Sequence, residues 1–155
     1  MNDADFSIRP ATPGDQPMIR AMVRAERLNP ADLRWSNFFV AAGKPDVIGA
    51  AQLRRHPDGS RELGSLVVDK RARGRGIAKR LIDALLASEP GPVWTVTVET
   101  FADTFRRWGF EKIDPPSAPV GVRRNYRIGS LVRLVSILLR RPMGRLVILE
   151  RLPSV

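Results

Sequence analysis

A chain of 155 residues without a single cysteine has room for one hydrophobic core and excludes disulfides, thiolate metal sites and a cysteine nucleophile. Twenty-six Lys and Arg against sixteen Asp and Glu leave a net charge of +10, carried almost wholly by arginine, so an anionic partner is expected. The N-terminal MNDADFSIRP lacks the basic-then-apolar pattern of a secretory leader and no apolar run approaches the length of a membrane span, which together predict one cytoplasmic domain over residues 1–155.

Phe6 to Arg9 alternates apolar and polar residues as a half-buried strand does, and Thr12-Pro13-Gly14-Asp15 predicts a helix start. There the Thr12 hydroxyl would accept an early helical N–H and Asp15 would reach back as the partner of a capping box. Ile19, Met22 and Val23 give that helix its apolar face, and Asn29-Pro30 ends it. A short helical stretch is expected at Pro30–Trp35. Three strands then follow as an antiparallel meander, at 38–41, 47–53 and 62–68, separated by turns at Gly43-Lys44-Pro45-Asp46 and His56-Pro57-Asp58-Gly59.

From Asp69 the pattern changes to an Arg- and Gly-rich turn, and Ile77, Leu81 and Leu85 then recur at four-residue spacing as on a helix. Val93 to Val98 reads as a β-branched strand, completing a crossover that would set it parallel to the strand before the turn. Phe101, Phe105 and Trp108 share a helical face ended by Gly109, residues 127–141 form a basic, apolar-rich helical candidate, and 146–149 reads as a last strand.

The segment Leu66 to Arg80 carries the chemistry: a strand delivers glycines to a helix N-terminus, where backbone N–H groups and the helix dipole suit a phosphate. Arg71, Arg73, Arg75, Lys79 and Arg80 add full positive charges. No Gly-Lys-Ser/Thr closes the turn as in a nucleoside triphosphate loop, and the dinucleotide fingerprint lacks its third glycine, because position 79 is Lys79.

Arg73-Gly74-Arg75-Gly76-Ile77-Ala78 resembles the acetyl-CoA signature of the GNAT N-acetyltransferases, Gln/Arg-x-x-Gly-x-Gly/Ala. Glu62-Leu63 before the Leu66-Val67-Val68 strand, and Arg106-Arg107-Trp108-Gly109-Phe110, are similar to further family landmarks, so the resemblance covers nearly the whole chain. It implies an α+β GNAT fold, with a mixed, mostly antiparallel central sheet, helices on both faces and a V-shaped cofactor cleft. It also implies acetyl-CoA as cosubstrate, no metal, and an acceptor that is a small amine, an amino acid or a peptide. On this resemblance Leu66, Val67 and Val68 would line the pantetheine arm through backbone groups, and Arg73, Gly74, Arg75, Gly76, Ile77, Ala78 and Lys79 would hold the pyrophosphate.

Direct transfer from a thioester to an amine needs a base for the amine and an acid for the thiolate. The resemblance implies Glu62 as the candidate base, since it sits near the start of the cofactor strand, where several family members use a carboxylate, often through water. Phe105 stands where the family's acid is a tyrosine, and phenylalanine has no proton to give. Water, a backbone N–H or another hydroxyl is left to serve, and Tyr126, the sole tyrosine although outside the matched position, is the candidate side chain. His56, the sole histidine and of a type suited to base work, falls in a turn-forming context and is expected at the surface.

The segment 127–141 fits a cover for its own sheet, a subunit interface such as that of a homodimer, an anionic membrane surface or an acceptor site. Nucleic-acid binding is disfavoured, since the chain has no zinc-ligand spacing or interleaved aromatic pattern. A CoA-sensing or partner-binding module that has lost turnover is the alternative from another class.

Overall fold

The computed structural model describes residues 5–140 and 143–153. Seven strands follow one another across the sheet in the order β1-β2-β3-β4-β5-β7-β6. The backbone separates into two compact units, one formed by residues up to Arg54 with Leu63–Glu89, the other by Arg55–Glu62 with the chain from Pro90 onward.

In the first unit β1 (Ser7–Pro10) lies antiparallel to β2 (Phe38–Ala42), with Ile8 opposite Ala41, and β2 lies antiparallel to β3 (Val47–Arg55), with Val40 opposite Ala50. The next strand, β4 (Arg61–Val68), begins in the second unit and ends in the first. The core joins Ile19 and Val23 of α1 (Gln16–Ala25) to Phe38 and Val40 of β2, Ala50 of β3 and Val67 of β4. Burying each of the large aliphatic side chains stabilises the fold by about 1.5–3 kcal/mol. Ile77, Leu81 and Leu85 form the buried stripe of α2 (Ile77–Ala87), as their spacing predicts. A Cβ built on Gly49 would stand 2.9 Å from Ile77 Cγ2, so the backbone of β3 admits α2 only because it is bare there.

The capping box predicted at Thr12 and Asp15 is present, at a tight turn over Pro13–Asp15 that leads into α1. Thr12 donates, through its N–H (2.7 Å) and hydroxyl (3.1 Å), to the Asp15 carboxylate, which also accepts two bonds from Arg9. Arg9, with the two Thr12 bonds, holds the Asp15 carboxyl down at about 2. The helical stretch expected at Pro30–Trp35 shrinks to a single tight turn at Trp35–Asn37, and residues 30–34 form a loop. Asp32 takes a left-handed conformation (φ 57°), and Gln16 of α1 secures the loop by donating to the Leu33 carbonyl (2.6 Å) and accepting from the Trp35 N–H (2.8 Å). A side chain 17 positions away thus overrides local propensity.

In the second unit β7 (Leu146–Arg151) pairs antiparallel with β5 (Val93–Val98) on one side and with β6 (Glu111–Ile113) on the other, with Leu149 opposite both Thr95 and Lys112. The helix predicted around Phe101 to Trp108 is short, α3 (Ala102–Phe105), continued by tight turns and ended by Gly109 with φ 80°. The basic segment belongs to a longer helix, α4 (Val120–Leu138), which starts seven residues before the predicted boundary; residues 141 and 142 lie outside the described part. Ala118, Val122 and Ile148 form a second buried cluster, with Trp94, Val96, Ile113 and Tyr126 packed around it.

Candidate functional site

Two sets of candidate residues stand out, one in each unit. In the first, β4 ends at Val68 and the chain passes through a tight turn at Lys70–Ala72 before α2. Asp69 caps that turn, accepting the Arg71 N–H at 2.9 Å. Gly74 and Gly76 have φ of 79° and 74°, a region costly for any residue with a Cβ, and a Cβ built on either meets nothing within 4 Å. The turn therefore presents open backbone in front of a helix whose first-turn N–H groups have no intrahelical acceptor. Those features fit the diphosphate of a nucleotide cofactor.

The residues around this turn divide by what they can offer. Val67 and Ile77 are buried in the core, so only their backbone can face a ligand, whereas Leu66 and Val68 are half-buried. Val68 already accepts a 3.3 Å bond from Arg73 Nε at its carbonyl. The cations are engaged as well: Arg73 with Glu26 (3.0 Å), Arg71 with Asp69 (3.1 Å) and Lys79 with Asp83 (2.7 Å). Arg80 and Arg75 lie over the Phe6 ring at 4.5 and 5.4 Å, and Arg75 stands 3.7 Å from Asp5. The pairs of Arg73, Arg71 and Lys79 are solvent-exposed and so worth little, which leaves their cations able to exchange a carboxylate for a phosphate.

The second set centres on Glu62. Its side chain is 5 % exposed, and its Oε2 accepts from His56 Nε2 at 2.6 Å and from Asn125 Nδ2, on α4, at 2.9 Å. A carboxylate is acceptor-only, so this arrangement fixes the proton of His56 on Nε2 when Glu62 is ionised. His56 corrects the expectation of a surface turn, because its side chain is 3 % exposed. The cause is α4. Asp58 in the same turn accepts the Gly121 N–H in the first turn of that helix (2.9 Å), which together with the Ser60 hydroxyl (2.6 Å) holds the Asp58 carboxyl at about 2. A Cβ on Gly121 would overlap the His56 ring, so the helix backbone lies directly on the imidazole.

The bond from the His56 N–H to the Ser60 carbonyl (3.0 Å) sets His56 opposite Ser60, which makes Glu62 its diagonal neighbour on the same face. That register was the signal available for pairing His56 with Glu62. Asn125, 63 positions further on, had none. Tyr126, next to Asn125, is half-buried and packed beside the Ala118, Val122 and Ile148 cluster. Phe105 lies among rings, with centroids 5.9 Å from Trp108 and 5.6 Å from Phe110. Between the two sets, β4 passes through a left-handed residue, Ser65 (φ 51°), whose hydroxyl bonds the buried Gln52 side chain at 2.8 Å.

Comparison with known proteins extends this picture. N-acetylglutamate synthase from Neisseria gonorrhoeae, complexed with coenzyme A and L-arginine, superposes with a TM-score of 0.72 at 21 % identity over 99 % of this chain and 34 % of that one. This chain therefore spans about a third of the synthase. A Mycobacterium tuberculosis protein in complex with CoA gives 0.69 at 22 % identity over 96 % of this chain and 99 % of that one. Ard1 from Thermoplasma volcanium gives 0.64 at 14 % identity over 98 % and 100 %. At such identities the likeness establishes the fold, an α+β GNAT fold with a mixed sheet. No curated protein matches the sequence. A profile of the acetyltransferase (GNAT) domain matches residues 34–112, just over half of the chain, and the protein belongs to that family.

Proposed function

We propose that this chain is an acetyl-CoA-dependent N-acetyltransferase acting on a primary amine of a small molecule, amino acid or peptide. The observation that carries the reading is Glu62, a buried carboxylate held by His56 and Asn125 at the start of the strand whose far end is the candidate cofactor segment. Purely structural polar clusters exist, yet a buried acceptor gripped by two side-chain donors is also how a base is held in one orientation.

In this reading the backbone of Leu66 and Val68 aligns the pantetheine arm, and the amides of Gly74 to Lys79 bind the pyrophosphate, with Arg73 and Arg75 adding charge. Acetyl-CoA supplies the thioester. The acceptor nitrogen gives a proton to Glu62, directly or through water, and its lone pair forms the C–N bond as the C–S bond breaks. The departing thiolate takes a proton, for which Tyr126 is the assigned donor. Arginine excess favours an acceptor bearing a carboxylate over a polyamine, by simple charge complementarity. The N-acetylglutamate synthase complex with L-arginine is consistent with amino acids as the class to test first.

Phe105 favours a second reading, a CoA-sensing or partner-binding module without turnover, because its ring packs in an aromatic cluster and donates nothing. Thiol release from acetyl-CoA across a panel of amino acids, small amines and peptides separates the two. Release with amino acids exceeding that with polyamines supports transfer, polyamines as best substrates overturn the charge argument, and binding without release with any amine leaves the sensing module.

A further inference from the structure

We propose that the outward face of α4 docks on an anionic phospholipid bilayer, lying in its headgroup layer. The inner side of the helix is defined by Val122, Tyr126, Gly129 and Arg133, spaced at four, three and four residues. Val122 is fully buried, Tyr126 packs on the core, a Cβ on Gly129 would stand 2.7 Å from Leu146, and Arg133 donates to the Met143 carbonyl at 3.2 Å. Helical geometry then puts Ile128, Leu131, Leu134, Val135 and Leu138 on the opposite side. Leu131, Leu134 and Leu138 are 63, 55 and 75 % exposed. An apolar face so placed serves no packing within the described residues, and contiguous aliphatic surface of this kind marks an interaction site.

Charge decides the occupant. Between residues 115 and 149 the chain has seven arginines and no aspartate or glutamate. Arg124 and Arg127 lie exposed at the N-terminal end of the apolar face, and Arg140 lies beyond its other end. A two-fold contact between copies of α4 would set these arginines against themselves with no carboxylate of the segment to neutralise them. Nucleic acid would answer the charge and leave the aliphatic side chains in water. A bilayer containing anionic lipid meets both requirements, since its headgroups pair with arginines while acyl chains cover the leucines. No described helix is long and apolar enough to cross a membrane, so contact at the surface is the geometry available to α4.

Co-sedimentation of the full chain with phosphatidylcholine vesicles, with and without phosphatidylglycerol, tests this directly. Two double variants accompany it, Leu131→Asp with Leu138→Asp, and Arg124→Gln with Arg127→Gln. All four positions are exposed, so unchanged thermal melting is expected and separates loss of binding from loss of fold. The proposal predicts sedimentation with the anionic vesicles, weak retention on the neutral ones, and affinity reduced by roughly tenfold or more in each variant. It is overturned by failure to sediment, by equal binding to both vesicle types, by a leucine variant that binds as before, which would mean adsorption by charge alone, or by a dimer in solution that ignores vesicles.

Discussion

The turn at residues 73–79 and the cluster around Glu62 handle charge by opposite means. At the turn Arg71 and Arg73 are exposed, their ion pairs are interchangeable with solvent, and the groups that would face a ligand are backbone amides that no side chain owns. At Glu62 the carboxyl group is buried, its partners include the side chains of His56 and Asn125, and the geometry depends on α4 lying on the hairpin turn. A site made of backbone tolerates substitution of any one arginine and fails when its glycines change. A site made of buried side chains fails when a single donor or acceptor is lost, because the remaining groups are left without partners.

That contrast can be broken most severely at Glu62. Glu62→Gln keeps the shape and removes the base, so kcat/KM should fall by about 10²–10⁴-fold while CoA affinity stays unchanged; Tyr126→Phe should lower kcat by about tenfold if its hydroxyl serves the thiolate, and not at all if only its ring matters. Thiol-release kinetics beside calorimetry read both. Gly76→Glu should do the reverse, weakening CoA binding by at least about tenfold, since it adds a Cβ at φ 74° and a negative charge where the phosphate is expected. Arg73→Gln at the same turn should cost only a few-fold.

The smallest effect lies far from both sites, at the α1 start. Asp15→Asn should cost about 1–2 kcal/mol at neutral pH by denaturant unfolding, since the carboxylate accepts from Arg9 and Thr12. Because folding lowers this carboxyl from 3.8 to about 2, its contribution is complete above pH 4 and disappears as pH falls towards 2. The gap between wild type and variant should close over that window, and a constant gap would assign the loss to something other than ionisation.

Local patterns reveal what is built locally. Strand, glycine turn and helix from Leu66 to Arg80 are contiguous, and each glycine there answers a backbone requirement, so sequence and structure agree at Ile77, Leu81 and Leu85. The short strand β6 was missed because its three residues, exposed or half-exposed, join the sheet through backbone pairing with β7. The early part of α4 was missed because Arg123-Arg124-Asn125 interrupts any apolar period, while Val122, with Tyr126 beside it, anchors it to the core. Glu62 was singled out by its place on a strand that resembles the family's cofactor strand, yet the burial of its partner His56 could not be read, since that ring is covered by a helix that begins more than sixty residues later.

The central claim is that a CoA-binding turn and a buried base act together in transfer to an amine. One titration tests it most directly: acetyl-CoA added to wild type, Gly76→Glu and Glu62→Gln by calorimetry, followed in the same samples by thiol release with the amino-acid panel. The account predicts saturable binding in wild type and Glu62→Gln, turnover in wild type alone, and neither in Gly76→Glu. Absence of binding in the wild type, or turnover undiminished in Glu62→Gln, would contradict it.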